Sequence, residues 1–179
     1  MKYKIGFTCG SFDLLHAGHV LMLEEAKSIC EHLIVGLQND PTIDRPNKNR
    51  PIQSIVERQI QLTALKHVDD VIIYNTEKDL LDLLTTLPID VRIIGEDYKD
   101  KPFTGDRLCK ESGIQIYFNA RQHGFSSTNI RQRVVDAERN KPITISIDDT
   151  MINLSCTEQS DFVFTDPIMW NDTITPDKC

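Results

Sequence analysis

The chain has 179 residues, 40% of them hydrophobic and 26% charged, and a formal net charge of −7 at pH 7. That is ample for one α/β domain with its own core plus an extension, in the composition of a soluble globular protein. An acidic balance without a basic stripe argues against a nucleic-acid partner, and no apolar run approaches the ~20 residues of a membrane span.

Ile5 to Cys9 is predicted as a short buried strand. Gly10 to Asp13 breaks it, and a helix opens near His19, with Val20, Leu21, Leu23, Ala26 and Cys30 in apolar period. Leu33 to Leu37 is a continuous apolar run, the pattern of a strand buried on both faces. Gln38 to Gln53 is a polar loop with Pro41, Pro46 and Pro51 and with Arg45, Lys48 and Arg50; loops of this length in compact domains are commonly functional. Ser54-Ile-Val-Glu57 is a capping-box signature opening a helix that carries Ile55, Gln59, Leu62 and Leu65. Val71 to Tyr74 is the third strand, and Thr76-x-x-Asp79 caps a helix that runs to Leu87 and stops at Pro88. Val91 to Ile94 is the fourth strand and leads into Gly95-Glu-Asp-Tyr-Lys99. A short helix over Asp106–Ser112 ends at Gly113. Ile114 to Phe118 is the fifth strand and Asn119 to Phe125 a loop. Ser126 or Ser127 caps a last helix to about Asn140.

Strands alternating with helices give right-handed βαβ units, so residues 1–140 are expected to form a Rossmann-like, doubly wound, five-stranded parallel sheet. Residues 141–179 are a separate acidic extension, with 7 acidic and 2 basic side chains against 20 and 18 in residues 1–140. Within it Ile143–Ile147 alternates as a strand, Asp148 to Thr150 can turn it, and Met151–Leu154 can pair back, before a loose tail. A lone hairpin is marginal in water and needs a body or a partner chain to dock on. Five cysteines, at positions 9, 30, 109, 156 and 179 without a C-x-x-C pair, fit neither a disulfide framework nor a zinc site. With an opening Met-Lys-Tyr-Lys-Ile that lacks the apolar core of a secretion signal, a reducing cytoplasm is expected.

In such a sheet ligands sit beyond the carboxyl ends of the strands, where the strand order switches. The irregular segments 9–19, 38–53, 95–99 and 119–128 follow strands one, two, four and five and should meet at that edge. His16 and His19, three apart at a helix start, place two imidazoles on one face beside N–H groups without helical partners and the positive end of the dipole. Gly18 between them lets a ligand approach the backbone. The arrangement suits a polyphosphate; the plainer reading of the pair is helix capping.

Residues 8–19, Thr-Cys-Gly-Ser-Phe-Asp-Leu-Leu-His-Ala-Gly-His, resemble the (G/T)-x-F-D-x-x-H-x-G-H signature of the nucleotidyltransferase superfamily that includes cytidylyltransferases. Arg121-Gln-His-Gly-Phe-Ser-Ser-Thr-Asn-Ile130 resembles the same family's R-T-x-G-[IV]-S-[ST]-T-x-I motif, with Gln122 and Phe125 departing from it. Glu57-Arg58, Val68-Asp69 and Gly95-x-Asp97 match further family positions, so the resemblance covers about residues 3–136. It implies in-line nucleotidyl transfer: an acceptor phosphate attacks the α-phosphorus of a nucleoside triphosphate and pyrophosphate leaves. His16, His19, Arg121 and Lys48 would be the catalytic groups. Cys9, Gly10, Ser11, Phe12, Asp13, Gly18, Gly95, Asp97, Gly124, Ser126, Ser127 and Thr128 would line the nucleotide, with Asp13 orienting the histidine turn. Arg50 and Lys66 would draw in the acceptor. Lysines that reach the phosphates in relatives of the glycerol-3-phosphate type fall here on Asn47, Asn49 and Arg50, so Lys48 or Arg50 must substitute. Mg²⁺ is expected on the triphosphate, with no dedicated metal cage in the protein, and homodimers are common among relatives.

Arg121 before the Gly-x-Ser-Ser turn favours the cytidylyltransferases and CTP, and the short single domain favours a small phosphorylated alcohol among them, glycerol 3-phosphate first and choline or ethanolamine phosphate after it. Gly95-Glu-Asp-Tyr-Lys99 favours the alternative, adenylyltransferases that act on sugar 1-phosphates with ATP. A third reading is a non-catalytic, regulatory nucleotide-binding module. Aminoacyl-tRNA synthetase relatives would need a basic RNA surface and a Lys-Met-Ser-Lys-Ser-like loop, and the sequence has neither.

Overall fold

The computed structural model describes residues 2–120, 123–141, 143–147 and 150–154, the last two segments as backbone only. In chain order the elements are β1 (Tyr3–Gly10), α1 (Ala17–Ile29), β2 (Cys30–Gln38), α2 (Ile55–Thr63), β3 (Asp70–Tyr74), α3 (Glu77–Thr86), β4 (Val91–Gly95), a 3₁₀ turn (Glu96–Tyr98), α4 (Asp106–Glu111), β5 (Gln115–Asn119), α5 (Ser127–Arg139), β6 (Ile143–Ile147) and β7 (Thr150–Leu154). Two compact units divide at Ile130/Arg131, inside α5.

In the first unit five parallel strands lie in the order β3-β2-β1-β4-β5. This is the doubly wound arrangement expected, with its switch between β1 and β4. The cause is legible strand by strand. In β2, Leu33, Val35 and Leu37 pack with Leu23, Ala26 and Leu62 of α1 and α2, while Ile34 packs with Phe7, Leu80 and Leu84 on the other face. A strand with helices on both sides must be apolar at every position, hence its unbroken run. Gly36 is the exception, because a Cβ there would come 2.8 Å from the Phe7 ring.

The helices begin where their caps stand. Ser54 and Thr76 each accept from the third backbone N–H of α2 and α3, while Glu57 and Asp79 return the bond to the cap N–H. α1 starts two residues earlier than expected, at Ala17, because His16 is its N-cap. β5 starts one residue later, because the Ile114 N–H is engaged with the Cys109 carbonyl that closes α4.

In the second unit β6 pairs antiparallel with β7, with Ile143 opposite Leu154 and Ile147 opposite Thr150. Among the described residues no helix is long and apolar enough to cross a membrane, and Cys9, Cys30 and Cys109 are free thiols.

Candidate active site

The turn after β1 is bent by its own backbone. Phe12 and Leu14 stand at φ 48° and 50°, in the left-handed region that bulky residues seldom occupy. Their surroundings hold them there. Phe12 is buried and leans on the His19 ring at a centroid distance of 5.3 Å, and the Leu14 N–H donates to Gln53 Oε1 at 2.7 Å. Strain of this kind persists where the neighbours over-determine it, and it collects at functional turns.

The two histidines lie together at the start of α1, their rings stacked 3.9 Å apart. His16 Nδ1 accepts the Gly18 N–H at 3.1 Å. A neutral imidazole whose Nδ1 accepts carries its proton on Nε2, so the capping bond fixes His16 as an Nε2–H donor. One ring nitrogen thus serves the helix and the other carries the proton. Gly18 has no room for a side chain, since a Cβ would lie 2.6 Å from His123 Cε1 and 2.9 Å from His16 Cε1.

Asp13 does not face outward as a ligand. Its Oδ1 accepts the Ile52 and Gln53 N–H groups at 3.0 and 2.9 Å, latching the long loop after β2 to the histidine turn. Its carbonyl accepts the Ser127 hydroxyl at 2.9 Å, tying on the start of α5. Through this bond Ser127 is a clasp between the two segments, a contact that the motif alone does not give. Ser126 caps α5 by accepting the Asn129 N–H at 3.1 Å, which leaves its own hydroxyl proton unspent. Thr128 and Gly124 are exposed, and the Gly124 carbonyl accepts from Asn129 Nδ2.

Arg58, 2% exposed, is the hub below this turn. Its guanidinium donates to the carbonyls of Ser11, Gln38, Asn39, Gln53 and Ser54. Burial pulls it down from the usual guanidinium range, and the charges of Asp13 and Asp40 oppose that. The resemblance singled out Glu57-Arg58 only as a match; the structure shows that Arg58 joins the segments after β1 and β2.

Cys9 and Gly10 end β1, and Ser11 follows. Gly95 closes β4, and the Asp97 carboxylate folds back over it, so that a Cβ at Gly95 would sit 2.5 Å from Asp97 Oδ1. Of the loop cations, Arg45 is tied to Gln38 Oε1 at 2.6 Å and to Glu77 at 3.1 Å. Arg50 is 85% exposed and 3.5 Å from Asp40, and Lys48 is exposed. Lys66 is not brought to the others. It lies between α2 and β3, just before Asp69, whose N–H bonds the Leu33 carbonyl near the start of β2. That is the amino edge of the sheet, one strand length of roughly 16 Å from the carboxyl edge. Helix α2 runs back down the sheet, and so carries its carboxyl end away from the site. Arg121 and Gln122 lie outside the described residues.

Among the described residues no group of three or more His, Cys, Asp or Glu side chains could hold a metal ion. The site's chemistry is that of neutral donors, a helix N-terminus and close backbone.

The family model for cytidylyltransferase-like proteins matches residues 7–133. The bifunctional protein HldE of Rhodospirillum rubrum is 36% identical over 143 residues, which are 79% of this chain and 29% of that protein. The protein of the same name from Campylobacter concisus is 38% identical over 140 residues, 78% of this chain and 29% of that one. The chain therefore spans less than a third of the length of these curated relatives. A solved structure, the lipopolysaccharide core biosynthesis protein of Thermoplasma volcanium, is 27% identical with a TM-score of 0.54, over 69% of this chain and 98% of that one. Pantothenate synthetase of Thermus thermophilus shares the fold alone, with 14% identity and a TM-score of 0.55 over 76% of this chain and 66% of that one.

Proposed function

The chain belongs to the cytidylyltransferase-like family of nucleotidyltransferases, and on that footing we propose that it transfers an adenylyl group from ATP to a sugar phosphate, releasing pyrophosphate. The observation that carries the transfer itself is the bond from Gly18 N–H to His16 Nδ1, which sets an Nε2–H donor at the amino end of α1 beside His19. An acceptor phosphate is already ionised at neutral pH, so its oxygen attacks the α-phosphorus without a general base. Catalysis is then positioning and charge stabilisation. His16 and His19 donate to the α-phosphate region as charge moves toward the leaving group, and Gly18 admits the phosphates close to the backbone. The Ser126 hydroxyl and Arg121 hold the outer phosphates. Lys48 and Arg50 lie in the loop that Asp13 latches to this turn, and they meet the acceptor. A divalent cation would accompany the triphosphate and offset part of its charge.

The sugar-phosphate acceptor has two supports. Gly95-Glu-Asp-Tyr-Lys99, which begins on the last residue of β4, resembles a segment of adenylyltransferases of that kind. The relatives named HldE align over most of this chain, and the solved relative is titled for lipopolysaccharide core biosynthesis, a carbohydrate product. These outweigh the preference for CTP and glycerol 3-phosphate that the Arg121 motif gives.

Pyrophosphate release with ATP and with CTP, each against sugar 1-phosphates and glycerol 3-phosphate, tests the proposal, with His16→Ala as control. Turnover with ATP and a sugar phosphate, lost in the variant, is expected. Turnover confined to CTP and glycerol 3-phosphate keeps the mechanism and overturns the substrate. Nucleotide binding without turnover on any acceptor assigns a regulatory module instead.

A further inference from the structure

One polar side chain at this site stands at a variable position of the second motif. His123 comes from the loop between β5 and α5, 105 residues after Gly18, yet its Cε1 lies where a Gly18 side chain would begin, 2.6 Å from that Cβ position. His16 Cε1 lies 2.9 Å from the same point. Three imidazoles, His16, His19 and His123, thus gather on the first turn of α1. His123 Nδ1 is fully buried and has no hydrogen-bond partner, while the residue as a whole is half-buried. An orphaned buried N–H is rarer and costlier than an under-used acceptor. The neutral ring therefore keeps its proton off Nδ1 and on Nε2. The loop that carries it is held at its far end by Ser126, by Asn129 on the Gly124 carbonyl and by Ser127 on the Asp13 carbonyl. Phe125 lies against the ring at a centroid distance of 5.4 Å.

We infer that His123 is a third phosphate-binding imidazole, donating from Nε2 to the polyphosphate that His16 and His19 receive. The inference rests on the polyphosphate site proposed above. It assigns a ligand contact to a residue whose position is a variable one in the motif. The three rings form no metal site, as no such group among the described residues can hold one; their shared chemistry is N–H donation to anionic oxygen.

The probe is inorganic pyrophosphate, titrated calorimetrically into the full chain and into His123→Ala, His123→Gln and His123→Asn. A glutamine amide nitrogen stands close to where Nε2 stood, whereas an asparagine amide reaches only the Nδ1 position. The expected result is a Kd raised about 10-fold or more in the alanine and asparagine variants, the worth of one charge-assisted hydrogen bond, and within about threefold of the parent in the glutamine variant. All four proteins should melt alike, because the ring is half-buried and caps nothing. An unchanged Kd in His123→Ala, or glutamine and asparagine variants that bind equally, would overturn it. So would failure of the parent to bind pyrophosphate. Turnover in the same preparations separates the two claims. Pyrophosphate binding that depends on His123 without any turnover sinks the transfer reading alone. Normal turnover with a Kd indifferent to residue 123 sinks the role of His123 alone.

Discussion

Asp13 and Arg58 show how much of the site's precision comes from side chains that need not touch a substrate. Asp13 Oδ1 holds two backbone N–H groups of the long loop, and its carbonyl holds Ser127. Asparagine keeps an acceptor at the same atom, whereas alanine removes it. Asp13→Asn should therefore retain kcat/KM within roughly tenfold, while Asp13→Ala should lose about 10²-fold or more and open residues 39–53 to limited proteolysis. Equal losses in both variants would mean that the negative charge itself serves the reaction. Arg58 places five carbonyls of three chain segments on one rigid fork. Arg58→Ala strands those carbonyls in a buried place, and it should cost about 3–5 kcal/mol in urea unfolding. Lysine has three donors on one atom and cannot span them, so Arg58→Lys should recover only part of that stability. For His16, loss of a donor to developing charge predicts a fall of about 10²–10³ in kcat for His16→Ala. The fold should survive, since the cap bond is a single hydrogen bond.

At the scale of elements, the two capping boxes give the chain an acid-sensitive stability. The Ser54 hydroxyl and N–H hold the Glu57 carboxyl below the usual range, and the Thr76 and Asn75 N–H groups do the same for Asp79. A carboxyl depressed in the folded state stabilises fully above its unfolded pKa and loses that contribution as pH falls through the folded one. Glu57→Gln with Asp79→Asn should lower the urea midpoint at pH 7, and the gap from the parent should close as pH falls below about 4. A gap that persists at pH 2 would assign the loss to geometry rather than charge. These same boxes are why the elements were legible. Ser54-x-x-Glu57 and Thr76-x-x-Asp79 are local signals, and the unbroken run Leu33–Leu37 can only be a strand covered on both faces. The carboxyl edge also followed from alternation alone. What was hidden is what long-range contact decides. Nothing local says that the Ser127 proton goes to a carbonyl 114 residues away, or that His123 meets Gly18. For Lys66 two signals part: the resemblance puts it near the acceptor, while α2 returns the chain to the amino edge of the sheet.

At the scale of the whole molecule the charge is divided against the chemistry. The family match ends at residue 133 and the last candidate residue is Thr128, yet residues 141–179 carry a net charge of −5 out of −7. On the proposed reading two anionic substrates approach a protein that carries five of its seven net negative charges in residues 141–179. If residues 1–140 suffice for the reaction, a chain ending at Asn140 should retain kcat within about twofold. Its KM for the triphosphate should fall at low ionic strength, where a net charge of −2 rather than −7 repels the nucleotide less. The difference should vanish above roughly 0.15 M salt, where screening acts within about 8 Å. Steady-state kinetics across a salt series read both effects. A fall in kcat that salt does not restore would show that the extension supplies groups to the reaction itself. A KM shift that salt leaves intact would show contact rather than field, because only a long-range electrostatic cause is screened away while the active residues stay unchanged.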